Sequence, residues 1–234
     1  MWEVVRMADY TNVMADLNAY FKPEDIKEML EGIERNEPIN WQRDYMLIKL
    51  LAYSGRRVTE VLSLKYEDVI PERGNHYGKI SFNILKKKEK IDGKWIPRDM
   101  KRLKDIDSKV FKELVSYIKW MRIGPGDYIF GSTYKPDNHL TDRRIRQIVK
   151  KYANLSGIKS YMDDNGRMKD PHPHMFRHGF AIDVAKNAKT TADLLKLQKA
   201  LEHSNFSITS FYLQFSDTEQ KEVFEGRYKE GKLK

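Results

Sequence analysis

The sequence of 234 residues contains no cysteine. This absence excludes disulfide-stapled scaffolds, zinc sites with thiolate ligands, iron–sulfur clusters and thiol nucleophiles, because each of them requires cysteine sulfur. The sequence also lacks an apolar run of about 18 residues, so we expect no transmembrane helix. Residues 1–20 lack the basic and then apolar order of a secretory signal peptide. Together these absences favour a cytoplasmic protein.

The sequence has few residues in patterns that bind a metal ion or a nucleotide. It contains six histidines, and the neighbouring pair His172 and His174 has no histidine or carboxylate at helical spacing from both. A glycine-rich phosphate loop is missing, and no serine stands in a nucleophile elbow. We therefore expect no metal site and no cofactor.

Positive charge is present in excess and is clustered. The chain has 43 lysines and arginines against 34 acidic residues, a formal net charge of +9. Residues 1–40 hold nine acids and four bases, a net of −5, whereas residues 79–104 hold three acids and ten bases, a net of +7. Residues 141–151 hold one acid and five bases, a net of +4. Such clusters are typical of nucleic-acid binding, although a solvated lysine-rich face of a heat-adapted protein also fits them.

Hydrophobic periodicity and capping residues predict a mainly helical chain. One segment differs, because Ile80, Phe82 and Ile84 alternate with polar residues and predict a strand. A turn over Glu89–Gly93 and a return strand within residues 95–106 then complete a basic β-hairpin. The predicted helices start at Pro23, Asn40, Thr59, Asp107, Thr141, His174, Thr191, Ser207 and Ser216. The sequence thus predicts one α+β domain that is mainly α, with a small antiparallel sheet.

Three short stretches carry residues that suit catalysis on a charged substrate. Residues 55–62, Gly-Arg-Arg-Val-Thr-Glu-Val-Leu, place an arginine at a helix start and a carboxylate three residues later. The stretch His-Met-Phe-Arg-His places His174 and Arg177 on one helix face, and a charge on this mostly apolar helix needs a partner. His203 is followed nine residues later by Tyr212. Each stretch by itself is weak evidence of function.

In this order, the stretches resemble the catalytic domain of the tyrosine recombinases, the family of lambda integrase and the Xer proteins. The family's patterns are Gly-x-Arg-x-Ser/Thr-Glu-Leu, a basic β-hairpin with an active lysine, His-x-x-Arg-His, and Leu-Gly-His-Ser followed nine residues later by a tyrosine. Four motifs in order are far more specific than any one of them. The resemblance covers residues 21–213, which leaves residues 1–20 as a short N-terminal segment and residues 214–234 as a C-terminal helix or tail.

The resemblance implies a role for each matching residue. It makes Arg57 and Arg177 the phosphate-clamping arginines, His174 and His203 the catalytic histidines, Tyr212 the nucleophile and Glu60 a supporting carboxylate. The catalytic lysine fits Lys86 best, while Lys87 and Lys88 lie so close that spacing does not choose among the three. The remaining residues expected to bind DNA are Lys87, Lys88, Arg143, Arg144 and Arg146.

The implied function is site-specific DNA recombination. The tyrosine would attack a phosphodiester of double-stranded DNA to give a 3′-phosphotyrosine, without metal or ATP, and four protomers would assemble on two DNA sites. Guanidinium groups suit such a reaction because each donates two parallel hydrogen bonds to phosphate oxygens. Two alternatives stay open: a type IB topoisomerase-like enzyme, and a catalytically silent DNA-binding protein.

The sequence departs from the family pattern in a few places. Arg56 replaces the usual apolar residue before the clamping arginine, and Glu202 replaces the glycine before the second histidine. Family members also commonly carry an N-terminal helical domain that residues 1–20 are too short to supply. We therefore expect either a catalytic fragment or a minimal recombinase.

Overall fold

The computed structural model describes residues 20–37, 39–72, 77–83, 88–91, 94–97, 101–132, 137–162, 166–188 and 190–201. The predictions for Lys86, Lys87, His203 and Tyr212, and for the helices at Ser207 and Ser216, lie outside these residues. Within the described ranges, no helix combines the length and the apolar character needed to cross a membrane.

The first helix, α1 (Pro23–Asn36), begins at the predicted proline. The Asp25 carboxylate accepts a hydrogen bond from the Lys22 backbone N–H at 2.8 Å, which closes the first turn. Met29 and Ile33 recur at helical spacing and are buried, as their period predicts.

The second helix, α2 (Trp41–Ser54), is the centre of the domain. It packs against α1 and against two later helices, so Ile48 and Leu51 are almost completely buried. It ends at Gly55, whose backbone adopts the left-handed conformation with φ +60°. Glycine adopts this conformation without steric cost, which explains why the helix stops there.

The short helix α3 (Val58–Leu62) follows directly. The prediction that Thr59 caps it is wrong, because Arg57 occupies the capping position. The Glu60 carboxylate reaches back and accepts a hydrogen bond from the Arg57 backbone N–H at 3.2 Å. A carboxylate at the third helical position is a common way to satisfy this donor.

A small antiparallel sheet follows, with β1 (Val69–Pro71) and β5 (Lys101–Asp105) on either side of β2 (Gly78–Asn83). Between β2 and β5 in the chain, β3 (Lys88–Ile91) and β4 (Lys94–Pro97) form a separate antiparallel hairpin. The predicted strand at Ile80 is therefore β2 and its return strand is β5, while the hairpin of β3 and β4 between them was not predicted as a separate unit.

Two details of the strands differ from the prediction. The expected turn over Glu89–Gly93 starts too early, because strand pairing continues through Ile91, which lies opposite Lys94. Strand β1 was not predicted, because its three residues are too few to show an alternation of apolar and polar side chains.

Two amphipathic helices, α4 (Ser108–Trp120) and α5 (Asp142–Leu155), have the predicted caps. The Asp107 carboxylate accepts a hydrogen bond from the second backbone N–H of α4 at 2.9 Å. The Thr141 hydroxyl oxygen accepts one from the third backbone N–H of α5 at 3.2 Å. Both caps satisfy donors that the helix itself leaves open.

The last described elements are a short hairpin and two helices. Strands β6 (Tyr161–Met162) and β7 (Met168–Lys169) pair to form the short hairpin. Helices α6 (His174–Lys186) and α7 (Thr191–Leu201) begin at the predicted residues.

Buried apolar side chains hold these layers together. The larger cluster joins α1, α2, α4, α5 and the sheet, with Phe82, Phe130 and Phe176 among its largest members. A smaller cluster between α6 and α7 includes Ile182 and Leu201. Removal of this apolar surface from water is the main stabilising contribution to such a fold. The predicted fold class, mainly α with a small antiparallel sheet, is confirmed.

Candidate active site

The turn at Gly55 is the geometric centre of the site. A Cβ atom built on Gly55 would lie 2.4 Å from Cδ1 of Phe180 on α6. Because the positive φ and this close approach both disfavour a side chain, the position requires glycine. The turn therefore brings the backbone at the end of α2 directly against α6.

Arg57 lies two residues after this turn and is held by Glu60. Its Nη1 donates to Glu60 Oε1 at 2.7 Å, while its backbone N–H donates to Oε2 at 3.2 Å. The Glu60 side chain has no solvent exposure, whereas the Arg57 side chain is 16% exposed. The predicted supporting carboxylate thus fixes one side of the guanidinium and leaves part of the group at the surface.

Arg177 reaches the same turn from α6. Its Nη1 donates to the Gly55 carbonyl oxygen at 2.8 Å, and its Nη2 donates to the Leu201 carbonyl oxygen at 2.5 Å. The residue is only 7% exposed, and these carbonyl dipoles help to compensate its charge. Backbone from two other elements thus supplies part of what a charge on an apolar helix requires.

The structure brings the two predicted clamping arginines to one place. Arg177 binds the carbonyl of Gly55, and Arg57 follows that carbonyl by two residues. The second carbonyl bound by Arg177 belongs to Leu201, the last described residue of α7, two positions before His203 in the sequence. Two guanidinium groups held on one turn form an arrangement that attracts a phosphate oxygen.

His174 begins α6 and is exposed at the edge of a groove. Its ring centroid lies 6.2 Å from that of His172, and His172 Nε2 lies 3.3 Å from the Tyr161 hydroxyl. The groove has a volume of about 700 Å³. Its lining comes from α5, β7 and the start of α6: Asp142, Arg143, Arg146, Gln147, Lys150, Lys169, Asp170, Pro171, His172 and His174.

The groove is positively charged, with four lysines and arginines against two aspartates. Lys150 Nζ donates to Asp170 Oδ2 at 2.6 Å, and this hydrogen bond, with a second one from the Ser160 hydroxyl, holds the pKa of the Asp170 carboxyl below its ordinary value. Arg146 is paired with Asp142 at 2.8 Å. Arg143 and Arg146, both predicted to bind DNA, line the groove, while Arg144 donates to Gln147 Oε1 at 3.3 Å.

The sheet carries the second basic region. Lys88 is the first residue of β3 and lies opposite Pro97 of β4, so one predicted DNA-binding lysine stands at the base of the hairpin. On β5, Lys101 Nζ donates to the buried carboxylate of Asp68 at 2.8 Å. This contact ties the strand that follows the hairpin to the segment after α3.

The sequence of the domain matches a known family. The family model described as the phage integrase family aligns with residues 19–219, which include every predicted catalytic residue. The chain belongs to the phage integrase family. The resemblance to tyrosine recombinases noted in the sequence is therefore confirmed at the level of the family.

The chain is also similar in sequence to individual tyrosine recombinases. The chain is 30% identical over 212 residues to a tyrosine recombinase of Pseudothermotoga lettingae, an alignment that covers 91% of this chain and 62% of that protein. It is 26% identical over 203 residues to tyrosine recombinase XerA of Pyrococcus furiosus, covering 86% of this chain and 59% of that protein. The chain thus spans about three fifths of the length of these relatives.

Solved structures show the same fold. XerH recombinase bound to palindromic difH substrate, in a post-cleavage complex, superposes with a TM-score of 0.66 at 23% identity over 88% of this chain and 52% of that chain. A lambda integrase dimer bound to a COC′ core site gives a TM-score of 0.54 at 17% identity, over 83% of this chain and 47% of that chain. At these identities the likeness shows the fold of the phage integrase family.

Sequence reasoning noted Arg56 only as a departure from the family pattern, and its burial was missed. The residue is 4% exposed, its guanidinium lies 5.3 Å from the centroid of the Phe82 ring, and Nη1 lies 3.9 Å from Glu60 Oε2. The available signal was its position inside the first motif, where the family usually has an apolar residue.

The sequence also did not reveal a cluster of polar side chains buried in the core. Arg43 and Asp44 are almost fully buried on α2, with Arg43 Nη2 2.9 Å from Asp44 Oδ1. The Tyr152 hydroxyl of α5 donates to Asp44 Oδ2 at 3.0 Å. Asp44 stands four residues before the buried Ile48, so its helical spacing was the signal that it faces the core.

Proposed function

We propose that this chain is the catalytic domain of a tyrosine recombinase that cleaves and rejoins double-stranded DNA. The observation that carries the proposal is the placement of Arg177, whose guanidinium binds the carbonyl before the Arg57 segment and the carbonyl at the end of α7. One buried cation thereby links three stretches that the family pattern assigns to catalysis.

The proposed first step is a transesterification at phosphorus. The Tyr212 oxygen forms a bond to the scissile phosphorus as the bond from phosphorus to the 5′-oxygen breaks, which leaves a 3′-phosphotyrosine and a free 5′-hydroxyl. Negative charge develops on the non-bridging oxygens, and Arg57 and Arg177 stabilise it electrostatically. Attack by a second 5′-hydroxyl reverses the step, so the energy of the bond is conserved and no ATP is consumed.

Proton transfer accompanies both halves of this step. The tyrosine hydroxyl is a weak nucleophile while protonated, so a neighbouring base must accept its proton. In our proposal His174 and His203 act as base and hydrogen-bond donor, and Lys86 protonates the leaving 5′-oxygen. The exposed position of His174 beside the basic groove supports its access to DNA.

The basic groove beside α5 is the proposed path of the DNA backbone. Its arginines and lysines come from elements that converge on His174, so a strand lying in the groove would pass the start of α6. Contacts of this kind position a duplex without reading its sequence. Since the proposed substrate is DNA, we place the protein in the cytoplasm, which fractionation of cells that express the tagged protein would test.

A nicked suicide substrate tests the proposed reaction. A binding site is first selected from a random duplex library with the intact chain, and a nicked form of that site is then incubated with protein. We expect a covalent protein–DNA adduct on a denaturing gel, which disappears in Tyr212→Phe and falls by at least about a hundredfold in Arg177→Ala.

Other outcomes would point to different functions. An adduct that survives in Tyr212→Phe would exclude this tyrosine as the nucleophile. A selected site that is bound but never joined covalently would favour a silent DNA-binding protein. Relaxation of supercoiled DNA without any strand exchange would favour a topoisomerase.

We also propose that four protomers assemble on two DNA sites, with residues 214–234 docking on a neighbouring protomer. Native mass spectrometry of the complex with DNA should show four chains, and removal of residues 214–234 should reduce the assembly to smaller species. Unchanged assembly after the deletion would contradict docking between protomers and favour packing of this segment on its own domain.

A further inference from the structure

His174 is exposed at the first residue of α6, where it is proposed to act on the DNA. An exposed side chain samples several rotamers unless a neighbour limits it. A misplacement of about 1 Å at a reacting group can cost about a hundredfold in rate. One neighbour that can limit His174 is His172, two residues earlier. The two rings meet edge to face, with their centroids 6.2 Å apart and their planes at 67°.

His172 is itself held by two other elements of the fold. Its Nε2 lies 3.3 Å from the hydroxyl oxygen of Tyr161 on β6, within hydrogen-bond distance. Tyr161 is half-buried and packs against the larger apolar cluster. The backbone carbonyl oxygen of His172 accepts a hydrogen bond from the Met175 N–H of α6 at 3.1 Å. The ring of His172 is therefore fixed to β6, while its backbone is fixed to α6.

The chain that leads into α6 has little freedom on either side of His172. A proline precedes His172 and another follows it, and each proline ring fixes one backbone angle. Just before them, Asp170 Oδ1 accepts a hydrogen bond at 2.7 Å from the hydroxyl of Ser160, the neighbour of Tyr161 in the chain. The ring at position 172 thus has a defined place from which it contacts His174.

We propose that His172 is a positioning residue for the reaction at the scissile phosphate. The Tyr161 hydroxyl holds the His172 ring, and this ring sets the orientation in which the imidazole of His174 meets the DNA. This inference rests on the proposed DNA cleavage and assigns a role to the first histidine of the His-Pro-His stretch.

The test is single-turnover formation of the covalent adduct on the nicked substrate, with DNA affinity measured in parallel. His172→Ala removes the ring that contacts His174. We expect the rate of adduct formation to fall about tenfold while DNA affinity changes less than about twofold. Cleavage by this variant at the parent rate would overturn the proposal. A loss of affinity large enough to explain the slower reaction would also overturn it, because His172 would then act by binding DNA directly.

His139→Ala is the matched control. His139 is also a half-buried histidine that meets an aromatic ring edge to face, with its centroid 5.2 Å from that of Tyr128. It lies outside the lining of the basic groove. We expect this variant to form the adduct at the parent rate, and a fall equal to that of His172→Ala would show a general effect of losing such a contact.

A double-mutant cycle separates positioning from a purely structural role. If His172 acts through His174, its removal should cost nothing further once His174 is gone. His174→Ala should react about a hundredfold more slowly than the parent. The double variant His172→Ala with His174→Ala should then react within about twofold of His174→Ala. Losses that multiply would overturn the proposal, since His172 would then act independently of His174.

Tyr161→Phe and His172→Phe keep the test valid if His172→Ala does not fold, a point that thermal melting decides. Each variant keeps both aromatic rings but breaks the same hydrogen bond, so we expect each rate to fall about threefold and the double variant to be no slower than either alone. Parent rates in both single variants would overturn the proposal. If the parent chain forms no adduct on a bound site, the proposed function itself fails, which distinguishes the two cases.

Discussion

Gly55 shows at the scale of one residue how a backbone position sets the geometry of the candidate site. Its carbonyl receives Arg177, its missing side chain admits Phe180, and its left-handed backbone turns the chain toward Arg57. The two arginines therefore depend on a residue that has no side chain of its own. A substitution here should disturb both of them at once.

Gly55→Ala should destabilise the fold strongly and reduce cleavage. The new methyl group would lie 2.4 Å from a Phe180 ring atom and would add the cost of a positive φ, so we expect a loss of at least about 3 kcal/mol in the free energy of unfolding. Gly157→Ala is the matched control, because Gly157 has φ +75° with open space around its Cβ position, and it should cost only about 1 kcal/mol. Urea unfolding measures both, and equal losses would contradict the role of Phe180.

Arg177→Lys should retain the positive charge but lose the ability to donate two hydrogen bonds in different directions. A lysine cannot reach the carbonyl oxygens of Gly55 and Leu201 together, and one hydrogen bond from a charged donor contributes about 2 kcal/mol. We expect that loss of stability in urea unfolding, and a fall of at least about a hundredfold in the rate of adduct formation. A variant with the parent rate would show that the bidentate geometry is not needed.

At the scale of elements, the basic groove depends on the meeting of α5, β7 and α6. Helix α5 contributes three lysines and arginines, β7 contributes one, and α6 contributes His174. Paired aspartates fix some of these cations in place, as Asp170 does for Lys150. The sequence by itself reveals only the cluster of positive charge on α5. The groove itself is a product of packing.

Arg143→Met should weaken DNA binding and change its response to salt. If Arg143 contacts one phosphate, its loss should reduce the slope of log affinity against log salt concentration by about 1 and lower affinity on all sequences alike. Arg35→Met removes the same formal charge from an exposed site on α1 and should leave the slope unchanged. Equal effects of the two variants would indicate a response to net charge rather than to the groove.

At the scale of the whole molecule, the buried group of Arg43, Asp44 and Tyr152 connects α2 to α5 across the core. Burial, and then the negative charge of Asp44, raises the pKa of the Tyr152 hydroxyl above its ordinary value. The folded state therefore keeps this proton at a pH where the unfolded chain releases it. Below about pH 10 both states hold the proton, and above it the stability falls as pH rises.

Tyr152→Phe should cost about 1–2 kcal/mol at neutral pH, because Asp44 Oδ2 loses the donor that lies 3.0 Å away. The variant should also lose less stability than the parent between about pH 8 and about pH 11, since one tyrosine with a raised pKa is gone. Urea unfolding at both pH values measures the two effects. Tyr53→Phe, at an exposed tyrosine of α2, should show neither of them.

Local signals were enough to predict most helices of the molecule. Proline at the start of α1, the caps Asp107 and Thr141, and the glycine after α2 act within one turn of the chain, so the sequence reveals them. Contacts between distant residues were not predictable. Burial of Arg56 depends on Phe82, and the groove depends on β7 meeting α5, pairings that no periodicity encodes.

The candidate site, too, was predictable from the sequence only in part. The family resemblance predicted that Arg57 and Arg177 share a site, and the structure brings both to one turn. The two carbonyls that Arg177 contacts were beyond prediction, because they are backbone groups at two separate helix ends. Side-chain patterns contain no information about which carbonyl will face a buried cation.

The pairing of β2 with β5 has a consequence for how this domain can be altered. Asn83 and Lys101 lie opposite each other, so the sheet closes at the point where residues 84–100 leave and rejoin it. Those residues form a cassette whose two ends are already fixed by the sheet. A hairpin transplanted from a tyrosine recombinase should fit between Asn83 and Lys101 with little change in melting temperature, so that the hairpin and the stability of the domain can be engineered separately.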